Sequence, residues 1–130
     1  MGTALAGAEG PHACLAPEFP MTAVLHLPFI EVASACATSC HHCAATCLGA
    51  DEPKPMAQCI ALSIDCAAMC QLAAAAVARG SEVVKVLATA CAAVCDRCAA
   101  ECALHATTQC QRCAEACRRC AHACREMAAA

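Results

Sequence analysis

The sequence predicts an all-α protein, an antiparallel up-down-up-down four-helix bundle with a core lined by cysteine. Two observations predict this fold: cysteines recur at steps of three and four residues in four clusters, and short segments with helix-ending and helix-starting residues separate the clusters. Residues three and four apart share one face of an α-helix. Each cluster therefore forms a stripe of thiols on one helix, and four stripes that face a common axis make a bundle.

Sixteen of the seventeen cysteines belong to these clusters, while Cys14 lies outside them. Ser63 occupies the one position at which the second cluster interrupts the periodic pattern. The four clusters comprise Cys36, Cys40, Cys43 and Cys47; Cys59, Cys66 and Cys70; Cys91, Cys95, Cys98 and Cys102; and Cys110, Cys113, Cys117, Cys120 and Cys124.

The domain organisation follows from the Gly and Pro residues near the N-terminus. Residues 1–20 contain three glycines and three prolines and are predicted to be an irregular extension, and residues 21–130 to be the cysteine-rich bundle. The first helix is predicted at about 28–48. Pro28 is favourable in a first helical turn, and Gly49 is placed to end the helix.

The second helix is predicted at about 53–79, with Asp51 as its cap and Gly80 as its end. The third is predicted at about 82–105, capped by Ser81.

The fourth helix is predicted at about 108–127, because Thr108 and Gln111 have the spacing of a capping box. Short connections make successive helices antiparallel. The thiols then extend to the end that carries the connections near residues 50 and 106, where Met56 and His105 continue the ladders as candidate metal ligands at the mouth. The opposite end is predicted to be closed by hydrocarbon from Phe29, Ile30, Val77, Val84, Leu87 and Met127.

Composition excludes several function classes. A net charge of −3 offers no basic patch for nucleic acid, and no apolar run is expected to span a bilayer. No catalytic triad or phosphate loop is evident, so we expect no enzyme. The first Lys or Arg is Lys54, so no export signal is expected and the predicted location is the cytoplasm, where thiols stay reduced.

Four interpretations of the thiols compete. Cysteine can be a small core hydrophobe, but sixteen in phase are too many for that explanation. Disulfides within a helix are disfavoured, since Cβ atoms four residues apart are about 5–6 Å apart and a disulfide needs about 3.5–4.5 Å. Zinc and iron–sulfur sites usually use turns, whereas each C-x-x-C pair here lies inside a helical ladder. Cu(I) is soft, prefers thiolate and accepts two or three sulfurs, so multiple Cu(I) ions are the favoured ligand.

The pattern resembles the copper storage protein family, in particular its cytosolic branch. The resemblance spans residues 36–124 and is carried by the segments CATSCHHCAATC, CIALSIDCAAMC, CAAVCDRCAAEC and CQRCAEACRRCAHAC. It implies a four-helix bundle that stores Cu(I) in its core, assembles as a homotetramer and exchanges copper with chaperones or chelators. The alternative functions are a thiol redox sink or sensor and a protein for zinc or another soft metal.

Overall fold

The computed structural model describes residues 26–130, and the predicted extension with Cys14 lies outside the described residues. The described part consists of helices and contains no strand. The elements are α1 (Leu27–Leu48), a short 3₁₀ turn (Lys54–Met56), α2 (Ala57–Arg79), α3 (Val84–Cys102) and α4 (Thr108–Ala129).

The four helices form a ring around one core. Each packs against its two neighbours, so that α1 contacts α2 and α4, while α3 also contacts α2 and α4. Short connections between helices of about twenty residues force the chain to reverse direction at each one. The prediction of a four-helix bundle with a cysteine-lined core is confirmed.

Two of the helix-end signals in the sequence act as predicted. Pro28 lies in the first turn of α1, where its missing N–H is not needed. Gly80 ends α2 in the left-handed conformation, with φ of 68°, which side chains with a Cβ rarely adopt. Gly49 ends α1 differently, with φ of −85°, while its N–H bonds back to the carbonyl groups of the last turn.

The predicted caps of α2 and α3 are wrong. Asp51 makes no capping hydrogen bond, because the chain enters α2 through the 3₁₀ turn, in which the Met56 N–H donates to the Pro53 carbonyl at 2.8 Å. The Ser81 hydroxyl accepts from the Val83 N–H at 3.2 Å and forms a tight turn. Helix α3 therefore begins after this turn, at Val84.

The connection between α3 and α4 also differs from the prediction. Helix α3 ends at Cys102 because Leu104 and His105 bond three positions back, to the carbonyl groups of Glu101 and Cys102. Thr107 caps α4 in place of Thr108, and its Oγ1 accepts from the Cys110 N–H at 3.1 Å. Gln111 donates instead to the His105 carbonyl at 2.6 Å, which ties the connection to α4.

The hydrocarbon end of the core is formed by fewer side chains than predicted. Phe29, Val77 and Met127 are buried there, and Ile30 and Val84 pack against them while partly exposed. Leu87 is only half-buried and lies outside this cluster. Ala88, and not Leu87, is the α3 residue buried at this end of the core. The apolar layer on the α3 side is therefore thinner than the sequence suggested.

One expectation about membranes needs correction. The segment Lys54–Arg79 is long and apolar enough to cross a bilayer, judged by length and composition alone. A buried core helix satisfies the same criteria, and α2 contributes three cysteines to the bundle interior. Its apolar character is therefore accounted for by packing within the protein.

Candidate metal centre

The centre of the bundle is filled with thiols. All sixteen cysteines of the described residues are free and buried; fifteen are 0% exposed and Cys47 is 3% exposed. The helices approach closely because alanine occupies the positions beside the thiol stripes, and Ala33, Ala67 and Ala114 are fully buried. Small neighbours at the helix contacts thus bring the stripes of all four helices to one axis.

Sulfur atoms from different helices lie within contact distance along the core. The shortest separations are 3.6 Å, between the Sγ atoms of Cys59 and Cys102 and between those of Cys66 and Cys95. Other pairs along the core are separated by up to 4.0 Å. These distances fit sulfurs that share a soft ion or a proton, and they are far from the roughly 2.05 Å of a disulfide.

The thiols nearest the 49–56 and 103–107 connections form what we term the outer group, consisting of Cys47, Cys59, Cys102 and Cys110. Cys47 and Cys110 are 3.7 Å apart. Cys43, one turn further in, contacts both Cys59 and Cys110 at 3.9 Å. The outer group is therefore joined to the next level of the core by α1.

The middle of the core is more densely connected. The Cys70 Sγ atom lies 3.7 Å from Cys95 and Cys120, 3.8 Å from Cys91 and 3.9 Å from Cys66. Sets of four sulfurs lie within 4.8 Å of one another at several levels: Cys36, Cys66, Cys70 and Cys95; Cys36, Cys40, Cys66 and Cys117; Cys40, Cys98, Cys113 and Cys117; Cys43, Cys47, Cys59 and Cys110; and Cys70, Cys91, Cys95 and Cys120. Because these sets share members, neighbouring metal ions could be bridged by common thiolates.

Packing and hydrogen bonding alter the acidity of the thiols. Burial, with a further contribution from Cys110, raises the pKa of Cys47 to about 12. Burial likewise raises the pKa of Cys59. The hydrogen bond between Cys120 and Cys124 lowers the pKa of Cys120 and raises that of Cys124, as expected when two thiols share one proton. A metal that binds at the outer group must therefore displace protons.

The argument against zinc drawn from the sequence, that each C-x-x-C pair lies inside a helix and not on a turn, considers one helix at a time and does not hold for the bundle. One helix face does not present four sulfurs tetrahedrally, but sulfurs from two or more helices come together in sets of four that lie within 4.8 Å of one another. A tetrahedral zinc site with Zn–S distances of about 2.3 Å has sulfur–sulfur edges of about 3.8 Å. The sulfur separations of 3.6–4.0 Å match that value. Selectivity between zinc and copper therefore depends on coordination number and capacity, since the distances alone do not decide it.

The two candidate mouth ligands have different surroundings. Met56 is partly buried and packs against the core cluster just before α2. His105 lies three residues after Cys102, and its Nε2 atom is 2.9 Å from Glu101 Oε2, with side chains 18% and 15% exposed. The sequence interpretation missed Glu101, although its position four residues before His105 was a usable signal.

The remaining histidines and charges of the bundle lie on its surface. His41 and His42 are exposed on α1, so neither lines the thiol core. His122 is 77% exposed. Glu115 pairs with Arg118 and Arg119 on the exposed face of α4. These charged side chains form a solvated face of α4.

Comparison with known proteins identifies the family to which the chain is similar. Residues 25–129 match the family described as copper storage protein. The chain is 37% identical to the Cu(I)-bound copper storage protein BsCsp3, with a TM-score of 0.77, over 79% of this chain and 97% of that one. It is 36% identical to a cytosolic copper storage protein from Streptomyces lividans with five coppers, with a TM-score of 0.79, over 85% and 97% of the two chains.

A third relative is a cysteine-rich protein of Bacillus subtilis. The uncharacterized cysteine-rich protein YhjQ of Bacillus subtilis is 39% identical over 67 residues, which are 52% of this chain and 62% of that protein. The match to the family covers the whole described bundle, and the solved relatives share its fold. This chain belongs to the copper storage protein family.

Proposed function

We propose that this chain is a high-capacity store for Cu(I), which its sixteen core cysteines bind as thiolates. The observation that carries the proposal is the continuity of the thiol core: sulfurs from all four helices are spaced at 3.6–4.0 Å over most of the bundle length. Cu(I) is a soft ion that favours thiolate. Two or three sulfurs suffice for each ion, so a closely spaced thiol column can hold many ions by sharing ligands.

Loading is a ligand exchange with no change of oxidation state. Cu(I) leaves its donor, forms bonds to two or three sulfurs, and each thiol that becomes a thiolate releases one proton. Each thiol that loses its proton supplies one negative charge for the positive ions, so charge is largely balanced inside the bundle. An apolar surrounding then excludes water and oxidants from the bound metal.

Anaerobic titration of the reduced protein with Cu(I), against a chromogenic chelator, tests this proposal. Sixteen thiols used four at a time, without sharing, could hold at most four tetrahedral ions. We expect saturation with Cu(I) clearly above that number. Replacing both Cys66 and Cys95 with Ser should lower the capacity, whereas Thr38→Ala on the exposed surface should leave it unchanged. Saturation after one or two ions would refute a storage function.

The alternative of a thiol redox sink predicts a different behaviour. An oxidation sink should consume peroxide and form disulfides even when it is loaded with metal. A copper store should be protected from oxidation by its bound ions. Counting free thiols after peroxide treatment, with and without Cu(I), separates the two functions.

We also infer a cytoplasmic location and a homotetrameric assembly. The Streptomyces relative is described as cytosolic. Leu27, Leu48, Ile64 and Leu72 are each 46–60% exposed on the bundle surface, which provides apolar area for contacts between copies. Copper chaperones or small chelators would then deliver and remove the ions. Analytical ultracentrifugation of the reduced protein measures the assembly directly.

The elevated pKa values give a prediction about alkaline pH. A thiol whose pKa is raised in the folded state contributes to stability, and this contribution is fully present at pH values below the unfolded thiol pKa of about 8.5. That stabilisation is lost as pH rises towards the folded pKa of Cys47, which is about 12. The metal-free protein should therefore lose stability above about pH 8.5. Denaturant unfolding at several pH values should show the loss, while the copper-loaded protein, whose thiols are already deprotonated, should show a much smaller change.

A further inference from the structure

Ser63 is the only residue of the thiol ladders on α2 that is not a cysteine, and it is fully buried. Its hydroxyl lies 3.8 Å from the Cys98 Sγ atom. Cys43 interacts with both Ser63 and Cys113, so the thiols at this level of the core are Cys43, Cys98 and Cys113. We term this level, with Ser63, the boundary level.

The serine interrupts the path along α2. Cys59 and Cys66 are separated by seven residues, a rise of about 10.5 Å along the helix axis. Thiols three or four residues apart on the other helices are separated by a rise of about 4.5–6 Å. A neutral hydroxyl is a hard oxygen ligand and a poor substitute for thiolate at Cu(I). An ion bound at Cys59 therefore has no next thiolate within reach on its own helix.

The boundary thiols face in two directions. Cys43 contacts Cys59 and Cys110 of the outer group at 3.9 Å. Cys113 contacts Cys40 and Cys117 on the other side, at 3.7 and 4.0 Å. The outer group and the remaining core thus approach each other at a level where three thiols take the place of four.

Cys98 is placed to connect the two sides. It contacts Cys102 of the outer group at 3.9 Å. It also belongs to a set of four sulfurs, with Cys40, Cys113 and Cys117, that lie within 4.8 Å of one another. The crossing between the two sides of Ser63 therefore runs between α3 and α4, opposite the gap on α2.

We propose that Ser63 divides the copper store into two compartments joined by a narrow crossing at Cys98 and Cys113. The smaller compartment is the outer group with Cys43, and the larger one contains the nine cysteines deeper in the bundle: Cys36, Cys40, Cys66, Cys70, Cys91, Cys95, Cys117, Cys120 and Cys124. This inference rests on the proposed function. Cu(I) moves between compartments by exchange, in which one Cu–S bond forms as another breaks and the newly bound thiol gives its proton to the released thiolate.

The proposal predicts two kinetic phases when Cu(I) is mixed with the reduced protein. Stopped-flow transfer from a chromogenic Cu(I) complex should show a fast phase of small amplitude and a slow phase of larger amplitude. Ser63→Cys restores the missing thiol of α2 and should accelerate the slow phase about tenfold, the effect of lowering a barrier by about 1.4 kcal/mol. Ser63→Ala, which changes the same atom without adding a ligand, should retain both phases at their original rates.

A second pair of variants keeps the test decisive if Ser63→Cys does not fold. Cys98→Ser removes a thiol from the crossing and should slow the slow phase, whereas Cys124→Ser removes one near the hydrocarbon end and should only reduce its amplitude. The total number of ions bound at equilibrium is measured in parallel. A protein that binds few ions would contradict the storage function itself. A protein that binds many ions in a single phase, or with rates that none of these variants changes, would overturn the two-compartment proposal alone.

Discussion

The reduced, metal-free protein should show the circular dichroism spectrum of a helical protein, and saturation with Cu(I) should raise its unfolding temperature by several tens of degrees. The first part follows from the composition of the helices. Alanine is the best helix former, and a neutral thiol is buried at little cost as a small hydrophobe. Within the described residues, no buried side-chain nitrogen or oxygen atom lacks a hydrogen-bond partner. Folding therefore needs no metal to satisfy polar groups.

The size of the copper effect follows from linkage. An ion that binds only the folded state at a free concentration a thousandfold above its Kd contributes about 4.1 kcal/mol of stability. Four such sites contribute roughly 16 kcal/mol, and each kcal/mol raises Tm by about 4 °C in a domain of this size. Unfolded chains that bind Cu(I) reduce the effect, so a rise of several tens of degrees is the expected result.

Circular dichroism melts under anaerobic conditions measure both parts. The loaded and metal-free samples should have nearly the same helical signal at low temperature and differ in Tm. The control is Thr38→Ala, an exposed change that should leave both melts unaltered. A metal-free sample that is disordered and becomes helical only with Cu(I) would show behaviour like that of a zinc finger, in which metal binding supplies the folding free energy.

The sequence predicted the core well because the thiol positions repeat with the helical period. Every clustered cysteine that was placed on an inward face is buried in the structure, down to Cys124 near the end of α4. The connectivity followed from the shortness of the connections. Both features depend on local spacing alone, so no information about tertiary contacts was needed.

The features that were missed depend on competition or on distances between helices. Ser81 and Thr108 both suit an N-cap. In the structure the Ser81 hydroxyl forms a tight turn before α3, and the hydroxyl of Thr107 caps α4. The argument against zinc considered single helices, whereas four sulfurs converge from several. Glu101 was overlooked because a charged residue on a helix is usually solvated, and only its short distance to His105 distinguishes it.

Copper should enter and leave the store at the end that carries Met56 and His105. Met56 precedes Cys59 by three residues, and His105 follows Cys102 by three residues, so both lie beside the outer group in sequence. The opposite end is closed by buried Phe29. Close packing of hydrocarbon leaves few voids larger than a water molecule, so ions should not pass there. A thioether and an imidazole hold Cu(I) less tightly than paired thiolates, which suits a site of transfer.

Glu101 is expected to prepare His105 for this role. When the neutral imidazole donates its Nε2–H to the Glu101 carboxylate, the Nδ1 atom keeps a lone pair for a metal. Glu101→Ala should therefore slow copper transfer in the same direction as His105→Ala. Glu101→Gln keeps an acceptor oxygen for the same N–H and should retain most of the wild-type rate.

The decisive variants are Met56→Ala and His105→Ala, alone and together, measured by the rate of Cu(I) uptake and of removal by a chelator. Their combination should slow transfer about tenfold, since a barrier higher by about 1.4 kcal/mol has this effect. The equilibrium capacity should stay nearly constant, because sixteen core thiols remain. The matched control is Phe29→Ala, which thins the hydrocarbon at the other end and should leave transfer rates unchanged. If Phe29→Ala accelerates transfer while the Met56 and His105 variants do not alter it, copper enters and leaves at the hydrocarbon end instead.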